Sequence, residues 1–225
     1  MLSIIIVNFK NPPLLRLCLK SLNNSLSANF SHEIIVVDIS SSVETRNVVS
    51  EFPEARLREF KENIGYTKGV NEGIKASCGN LVFIINPDII PLKNSIENMV
   101  EYLNKNQDVG LIGPQLLNFD GSIQNSSFSF YSPLTIAYRR TFLSRLPWAK
   151  KELNRFLLSN KDKTKTSQVD WIMGSALMAT KKSINNVGFM DENLFLYMSE
   201  VDWAKRFWEN GYKVMYFPEA QMYHY

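Results

Sequence analysis

An α/β fold, with helices on both faces of a mostly parallel central sheet, is the architecture that this 225-residue sequence predicts, on three observations. Unbroken apolar runs at 4–7, 34–37 and 81–85, rich in β-branched residues, suit strands buried on both faces. Stretches of helical period, opened by capping residues, lie between them. Two of the runs lead to an acid, Asp38 directly and Asp88 after Asn86-Pro87. Carboxylates are thereby left at strand carboxyl ends, the edge where open α/β sheets bind ligands.

Taken in order, residues 2–9 form the first strand. Asn11 is placed to cap a helix opened by Pro12-Pro13, where a missing N–H costs nothing. Leu15, Cys18, Leu19 and Leu22 give that helix an apolar stripe. Residues 33–38 make the second strand, the serines at 40–42 cap a helix running to 52, and 55–60 make a short third strand. A helix over 66–77 carries Val70, Gly73 and Ile74 at contact spacing, and Gly79-Asn80 breaks it before the fourth strand. Pro87 has no N–H and holds Asn86 extended, so the fourth strand stops there. Right-handed crossovers between parallel strands are the default connection. Beyond them, 95–104 reads as a helix, 109–117 as a strand, 120–121 as a turn, and 200–210 as a helix ended by Gly211. A last strand over 213–217 is expected to be interrupted by Pro218. Residues 124–168 are the least regular, with helical pieces broken at Pro133 and Pro147.

A hydrophobic fraction of 45% fills a core and excludes whole-chain disorder, and a net charge of +3 gives no reason to expect a nucleic-acid partner. The basicity is local: 139–165 holds nine Lys/Arg against Glu152 and Asp162. Cys18 and Cys78 fall in predicted helices without metal spacing and are expected as buried free thiols, consistent with a reducing cytoplasm. Met1-Leu2-Ser3-Ile4 lacks a basic leader pattern, and no apolar run approaches the ~20 residues of a membrane helix, so a cytoplasmic location is expected. No Gly-x-Gly-x-x-Gly follows the first strand and no P-loop is present, which disfavours a dinucleotide dehydrogenase.

Several constellations carry chemistry. Asp88 at a strand end suits a divalent metal that keeps sites for phosphate oxygens and water; the plainer reading is a turn Asp that caps the next helix. Asp38 is weighed in the same way. Residues 62–73 place Asn63 and Gly65 before a helix, and Gly69, Asn71 and Gly73 within it. A glycine inside a helix costs ~1 kcal/mol against alanine, so two need a reason, either an anionic ligand at the helix start or close packing on the sheet. His224 by itself reads as a histidine of a terminal strand.

Together, Asn63-x-Gly65, Gly69-x-Asn71-x-Gly73 and Asn86-Pro87-Asp88 after an apolar strand resemble the family-2 glycosyltransferases, and most of all their rhamnosyltransferase-like branch. The stretches 169–174, 187–197 and 200–206 continue the likeness, which is weakest over 126–167. The resemblance implies a GT-A fold, a nucleotide-diphosphate sugar donor, a divalent ion (Mn2+ or Mg2+) and inversion at the anomeric carbon. It implies one domain over 1–225, with a nucleotide-sugar half over 1–118 and an acceptor and catalytic half over 119–225. Asn8 and Asp38 would line the base and ribose pocket, and Asn63, Lys68, Gly69 and Asn71 would meet the nucleotide and its diphosphate. Asp88 takes the second acidic position of the metal motif and Asn86 the place of the first, with His224 matching a late histidine that reaches the metal. Trp171 and Gly174 match the floor of the acceptor site.

The catalytic position departs from the family pattern. Ser199 stands where Glu is usual, and Glu200 where the Asp expected as the base is usual. The extra methylene moves the carboxylate by about a bond length, and small displacements of a base cost rate. Glu200 and Asp202 are the catalytic candidates, although on a helix two residues' separation points Asp202 elsewhere. Ile39 after Asp38 removes a usual polar neighbour of the base pocket. The resemblance implies transfer from a dTDP-rhamnose or UDP-hexose type of donor to a glycan or lipid-linked glycan. A non-catalytic sugar-nucleotide-binding domain and a sugar nucleotidyltransferase are the alternatives; the second would want a Gly-rich basic loop where Asn8-Phe9-Lys10-Asn11 stands. The 139–165 segment reads either as contact with an anionic membrane surface or as a solvated insertion over the core.

Overall fold

The computed structural model describes residues 1–225, the side chains of Arg140 and Leu143 of the basic segment excepted. β1 (Leu2–Asn8) pairs in parallel with β2 (His32–Asp38) on one side and β4 (Leu81–Ile85) on the other, and β2 pairs in parallel with β3 (Ala55–Glu59). The crossovers are α1 (Pro12–Ser25), α2 (Val43–Ser50) and α3 (Tyr66–Ala76). The Asn11 side chain accepts from Leu14 N–H and Ser42 Oγ from Thr45 N–H, which satisfies donors that the first turns of α1 and α2 leave open. Every residue of β1 and β4 is buried, as unbroken apolar runs require.

The second half of the chain joins the same sheet. β5 (Ile89–Pro91), α4 (Ser95–Lys105) and β6 (Val109–Leu117) are followed by the two-residue strands β7 (Ile123–Gln124) and β8 (Ser127–Phe128). α5 (Pro133–Arg140), a 3-10 turn at Phe142–Arg145 and α6 (Pro147–Phe156) make up the irregular stretch. Then come β9 (Ser167–Gln168), β10 (Trp171–Ile172), β11 (Ala176–Thr180), α7 (Lys181–Val187), α8 (Ser199–Glu209) and β12 (Lys213–His224). The sheet order is β3-β2-β1-β4-β11-β6-β12-β5, with β7 on β6 and β9 on β12. β8 and β10 pair separately.

Successive strand residues face opposite layers. Ile4, Ile6, Ile34, Val36 and Phe83 pack with Leu15, Leu19, Val48 and Met99 on one face, whereas Ile5, Val7, Ile35 and Val37 pack with Val70, Ile74 and Trp203 on the other. Gly73 lets α3 lie close to β1: a Cβ there would stand 2.3 Å from Ile5 Cγ2. Close packing, the plainer of the two explanations for that glycine, is what the structure contains.

Three local expectations change. β11 was not legible; it runs antiparallel between β4 and β6 and makes the sheet mixed. Pro218 does not end the last strand. β12 passes it with a register shift between Phe217 and Gln221 and continues to His224, because a bulge accommodates a residue without an N–H. Cys18 is a buried thiol in α1 as expected, but Cys78 follows α3 and is exposed.

Candidate active site at the carboxyl edge of the sheet

β4 delivers Asp88 to the edge. Past Ile85 the Asn86 N–H donates to the Ser175 carbonyl at 2.8 Å, and Ile89 N–H closes a turn on the Asn86 carbonyl at 3.2 Å. The Asp88 carbonyl accepts from Tyr225 N–H at 2.9 Å, which brings the end of β12 alongside. His224 Nε2 then stands 3.7 Å from Asp88 Oδ2, too far for a hydrogen bond. Its Nδ1 lies 2.6 Å from Gln124 Oε1. A carbonyl oxygen only accepts, so Nδ1 carries a hydrogen, and Nε2 is the ring nitrogen turned toward Asp88. Asn86 Oδ1 and Asp88 Oδ1 are buried without partners. Beneath them Cys18 is buried 3.8 Å from the Asn86 carbonyl, and burial, then the Asp88 charge, pushes its thiol far up, which leaves it inert.

A cavity of about 430 Å³ opens over this edge, lined by Tyr66, Asn86, Asp88, Gly174, Glu200 and His224 among others. A second, of about 600 Å³, is lined by Tyr131, Ile136, Arg139, Trp171, Tyr197, Met198 and Glu200. Glu200 is the carboxylate that borders both. It sits in the first turn of α8, which is entered through two consecutive residues of positive φ, Tyr197 at 63° and Met198 at 66°. Gly174 packs on its stem, since a Cβ there would stand 3.4 Å from Glu200 Cβ. Tyr66 Oη donates to the Gly174 carbonyl at 2.9 Å and holds that segment in place. Burial raises the Glu200 carboxyl above its ordinary value.

Trp171, itself buried, lines the second cavity. Its indole N–H donates to the Ser129 carbonyl at 2.9 Å, and its ring stacks on Phe128 at 4.4 Å between centroids.

The family model for Glycosyl transferase family 2 matches residues 3–169, which is most of the chain. The chain belongs to glycosyltransferase family 2. It is 27% identical, over 99% of its length and 75% of theirs, to the N-acetylglucosaminyl-diphospho-decaprenol L-rhamnosyltransferases of two Mycobacterium tuberculosis strains. It is 29% identical to the low-salt glycan biosynthesis hexosyltransferase Agl10 of Haloferax volcanii, over 91% of this chain and 61% of that one. Among solved structures, GalNAc-T7 with UDP, GalNAc and Mn2+ superposes with a TM-score of 0.74 at 13% identity, over all of this chain and 43% of the other. The mannosyltransferase PcManGT of Pyrobaculum calidifontis, in complex with GDP-Man and Mn2+, superposes with a TM-score of 0.67 at 16% identity, over 99% of this chain and 56% of the other. The fold is the expected GT-A fold. This chain therefore spans about half the length, or less, of those two solved enzymes.

In this glycosyltransferase the other expected site residues fall into two groups. Asn86, Asp88, Gly174, Glu200 and His224 meet around the first cavity, and Trp171 lines the second. The remainder does not line either cavity. Asn8 is fully buried and donates to Thr45 Oγ1 at 3.1 Å and to Asp38 Oδ1 at 3.4 Å. Asp38, equally buried, accepts from Ser40 Oγ and Ser42 N–H. Asn71 spends its side chain on the loop before α8: it donates to the Met190 carbonyl and Glu192 Oε1 and accepts from Met190 N–H. Asn63 Oδ1 accepts from Gly65 N–H at 3.0 Å, and Gly69 lets α3 approach Val7. Lys68 is exposed. Asp202 faces away from both cavities and pairs with Arg206 at 2.8 Å, as its position two residues beyond Glu200 on a helix requires. Gln124 and Tyr66, neither expected, shape the site; each is visible only as the partner of a residue distant in sequence.

Among the described residues no group of three or more His, Cys, Asp and Glu is placed to hold a metal, so Asp88 and His224 form a pair. Nor is any described helix long and apolar enough to cross a membrane.

Proposed function

We propose that this glycosyltransferase moves a sugar, with inversion, from a nucleotide-diphosphate donor of the dTDP-rhamnose or UDP-hexose type to a glycan or lipid-linked glycan. The observation that carries this reading is Glu200, one carboxylate on the border of two cavities. The first cavity receives the donor sugar and diphosphate, and the second the acceptor. Tyr66, Asn86 and Asp88 of the 1–118 half meet Gly174, Glu200 and His224 of the 119–225 half around the first cavity, and 119–225 lines the second. The names of the mycobacterial and Haloferax relatives, a rhamnosyltransferase on a diphospho-decaprenol-linked sugar and a hexosyltransferase, support this choice of substrates.

Asp88 Oδ2 and His224 Nε2 fit a divalent ion, Mn2+ or Mg2+. They are a carboxylate oxygen and an imidazole nitrogen, close but not hydrogen-bonded, and such ions are commonly held by one or two protein groups plus substrate phosphates. The ion, when bound, would neutralise charge building on the leaving diphosphate. Glu200 accepts the proton of the acceptor hydroxyl as it attacks the anomeric carbon. Tyr66 and Gly174 fix the wall against which that carboxylate rests, and Trp171, stacked on Phe128 and Tyr131, supports the aromatic wall of the acceptor cavity. Asp202 takes no part in the chemistry and braces α8 through Arg206. Peripheral contact of 139–165 with the inner face of a membrane would suit a lipid-linked acceptor.

A donor screen tests the reading, with nucleotide release followed by mass spectrometry with and without Mn2+. Release from one donor class, dependent on acceptor and metal, is expected. The Glu200→Gln variant should bind the nucleotide as before and lose about 10²–10⁴-fold in turnover. Nucleotide binding without turnover under any donor and acceptor pair would instead mark a non-catalytic binding domain.

A further inference from the structure

We propose that the rim of the second cavity is a seat for an anionic lipid bilayer, built jointly by the 195–198 loop and the α5–α6 insertion. This rests on the reading of that cavity as the acceptor site, and goes beyond the basic composition of 139–165 by naming the face. Ile136, Tyr197 and Met198 line the cavity and are all exposed, Tyr197 by 75%. They belong to two separate parts of the chain that converge on one opening. The elements packed against α5 extend the apolar surface outward: Phe142 in the 3-10 turn is 81% exposed and Trp148 at the start of α6 is 62% exposed.

These side chains are not spare core. α6 buries Ala149 and Phe156, seven residues apart, on the inner face that packs toward Phe128 and Trp171. Its outer face carries Trp148 and, three residues on, Lys151. An aromatic residue beside a lysine on an exposed helix face suits the boundary between headgroups and acyl chains.

The charge of the same elements selects the lipid. Arg145, Lys150 and Lys151 are exposed and have no carboxylate partner among the described residues. Glu152, the acid of α6, is taken up by Arg155, Ser132 and Thr135 on the inner side. Arg139, on the cavity wall, stacks over Tyr131 and Phe156 and adds a further exposed cation at the mouth. Apolar side chains flanked by unpaired cations match an anionic headgroup layer in both hydrophobicity and sign. Seated in this way, the cavity opens toward the bilayer, and a lipid-borne acceptor reaches Glu200 without leaving it.

Co-sedimentation of the full chain with vesicles tests this, comparing phosphatidylcholine alone with phosphatidylcholine containing phosphatidylglycerol. Binding is expected to the anionic vesicles only, with a blue shift of Trp148 emission that Trp148→Phe removes. Phe142→Ser with Trp148→Ser should weaken vesicle binding by about tenfold or more. The same double variant should keep its melting temperature and its transfer to a water-soluble acceptor. Equal binding to neutral vesicles, no binding at all, or an unchanged double variant overturns the proposal. A concentration-dependent dimer that the double variant dissolves also overturns it, because the face would then belong to a second copy. Vesicle binding is read without donor and the donor screen without lipid, so each reading can fail alone.

Discussion

Glu200 and Asp88 are both acids at the carboxyl edge of the sheet, but their surroundings set them different tasks. Asp88 keeps one oxygen toward His224 and Glu200 is wrapped against Gly174, where burial raises its carboxyl. A base must be ionised to work, so kcat/KM should fall as the pH drops through that raised value. The acid limb of the profile is therefore expected above the ~4.3 of an ordinary glutamate. A pH–rate profile checks this, and a limb at or below the ordinary value would remove Glu200 as the base. His224 depends on Gln124, which fixes its tautomer by accepting from Nδ1 at 2.6 Å. Partners of this kind commonly carry 10–100-fold in metal affinity, so Gln124→Ala should raise the Mn2+ concentration for half-maximal binding by roughly that factor. Manganese titration by calorimetry, in the presence of nucleotide, reads it.

Among the elements, the α5–α6 segment is held by a polar knot. Glu152 on α6 accepts from Arg155, and from Ser132 and Thr135 at the start of α5, where those two also form a capping box. These bonds, Arg155 foremost, hold its carboxyl down at about 2. A value depressed on folding stabilises the protein above the unfolded range, near ~4.3, and that stabilisation is lost as the pH falls toward the folded value. Glu152→Ala should cost about 2 kcal/mol at neutral pH, because it strands the partners it leaves behind. The loss should appear as a lower melting temperature and as proteolytic cleavage confined to 126–167, and both differences from wild type should shrink at pH 3. Cleavage spread over the whole chain would show that the knot holds more than that segment.

At the scale of the whole molecule, the site exists only because distant segments close on one edge. Asp88 leaves β4, His224 ends β12, Glu200 opens α8, and the sheet and loop bonds among them are the frame. A ligand that bridges donor-side and catalytic segments should stabilise the entire fold by mass action. Nucleotide diphosphate with Mn2+, at about a hundred times its dissociation constant, contributes ~2.7 kcal/mol, or roughly 5–10 °C for a chain of this size. Thermal melts with nucleotide, Mn2+ and both together measure it. A full shift with nucleotide alone would argue against a metal bridge at Asp88.

The buried strands, their helical crossovers and the acid at the end of β4 are written into the order of residues. Those features follow from periodicity, β-branched runs and a proline that stops a ladder, all of which act over a few residues. The motifs around Asn63, Asn86 and Glu200 placed the chain in its family, yet they did not tell which polar residues are free. Asn8, Asp38 and Asn71 look like ligand groups in the sequence; in the structure each makes buried hydrogen bonds, with Asn8 Oδ1 left unpartnered. That β11 inserts between β4 and β6, that β12 runs past Pro218 and that Gln124 orients His224 emerges from the folded chain alone. Each is a pairing between residues far apart along the chain. Local propensity carries no record of such pairings, because their free energy appears only when the sheet assembles and burial sets a cost on each polar group left without a partner.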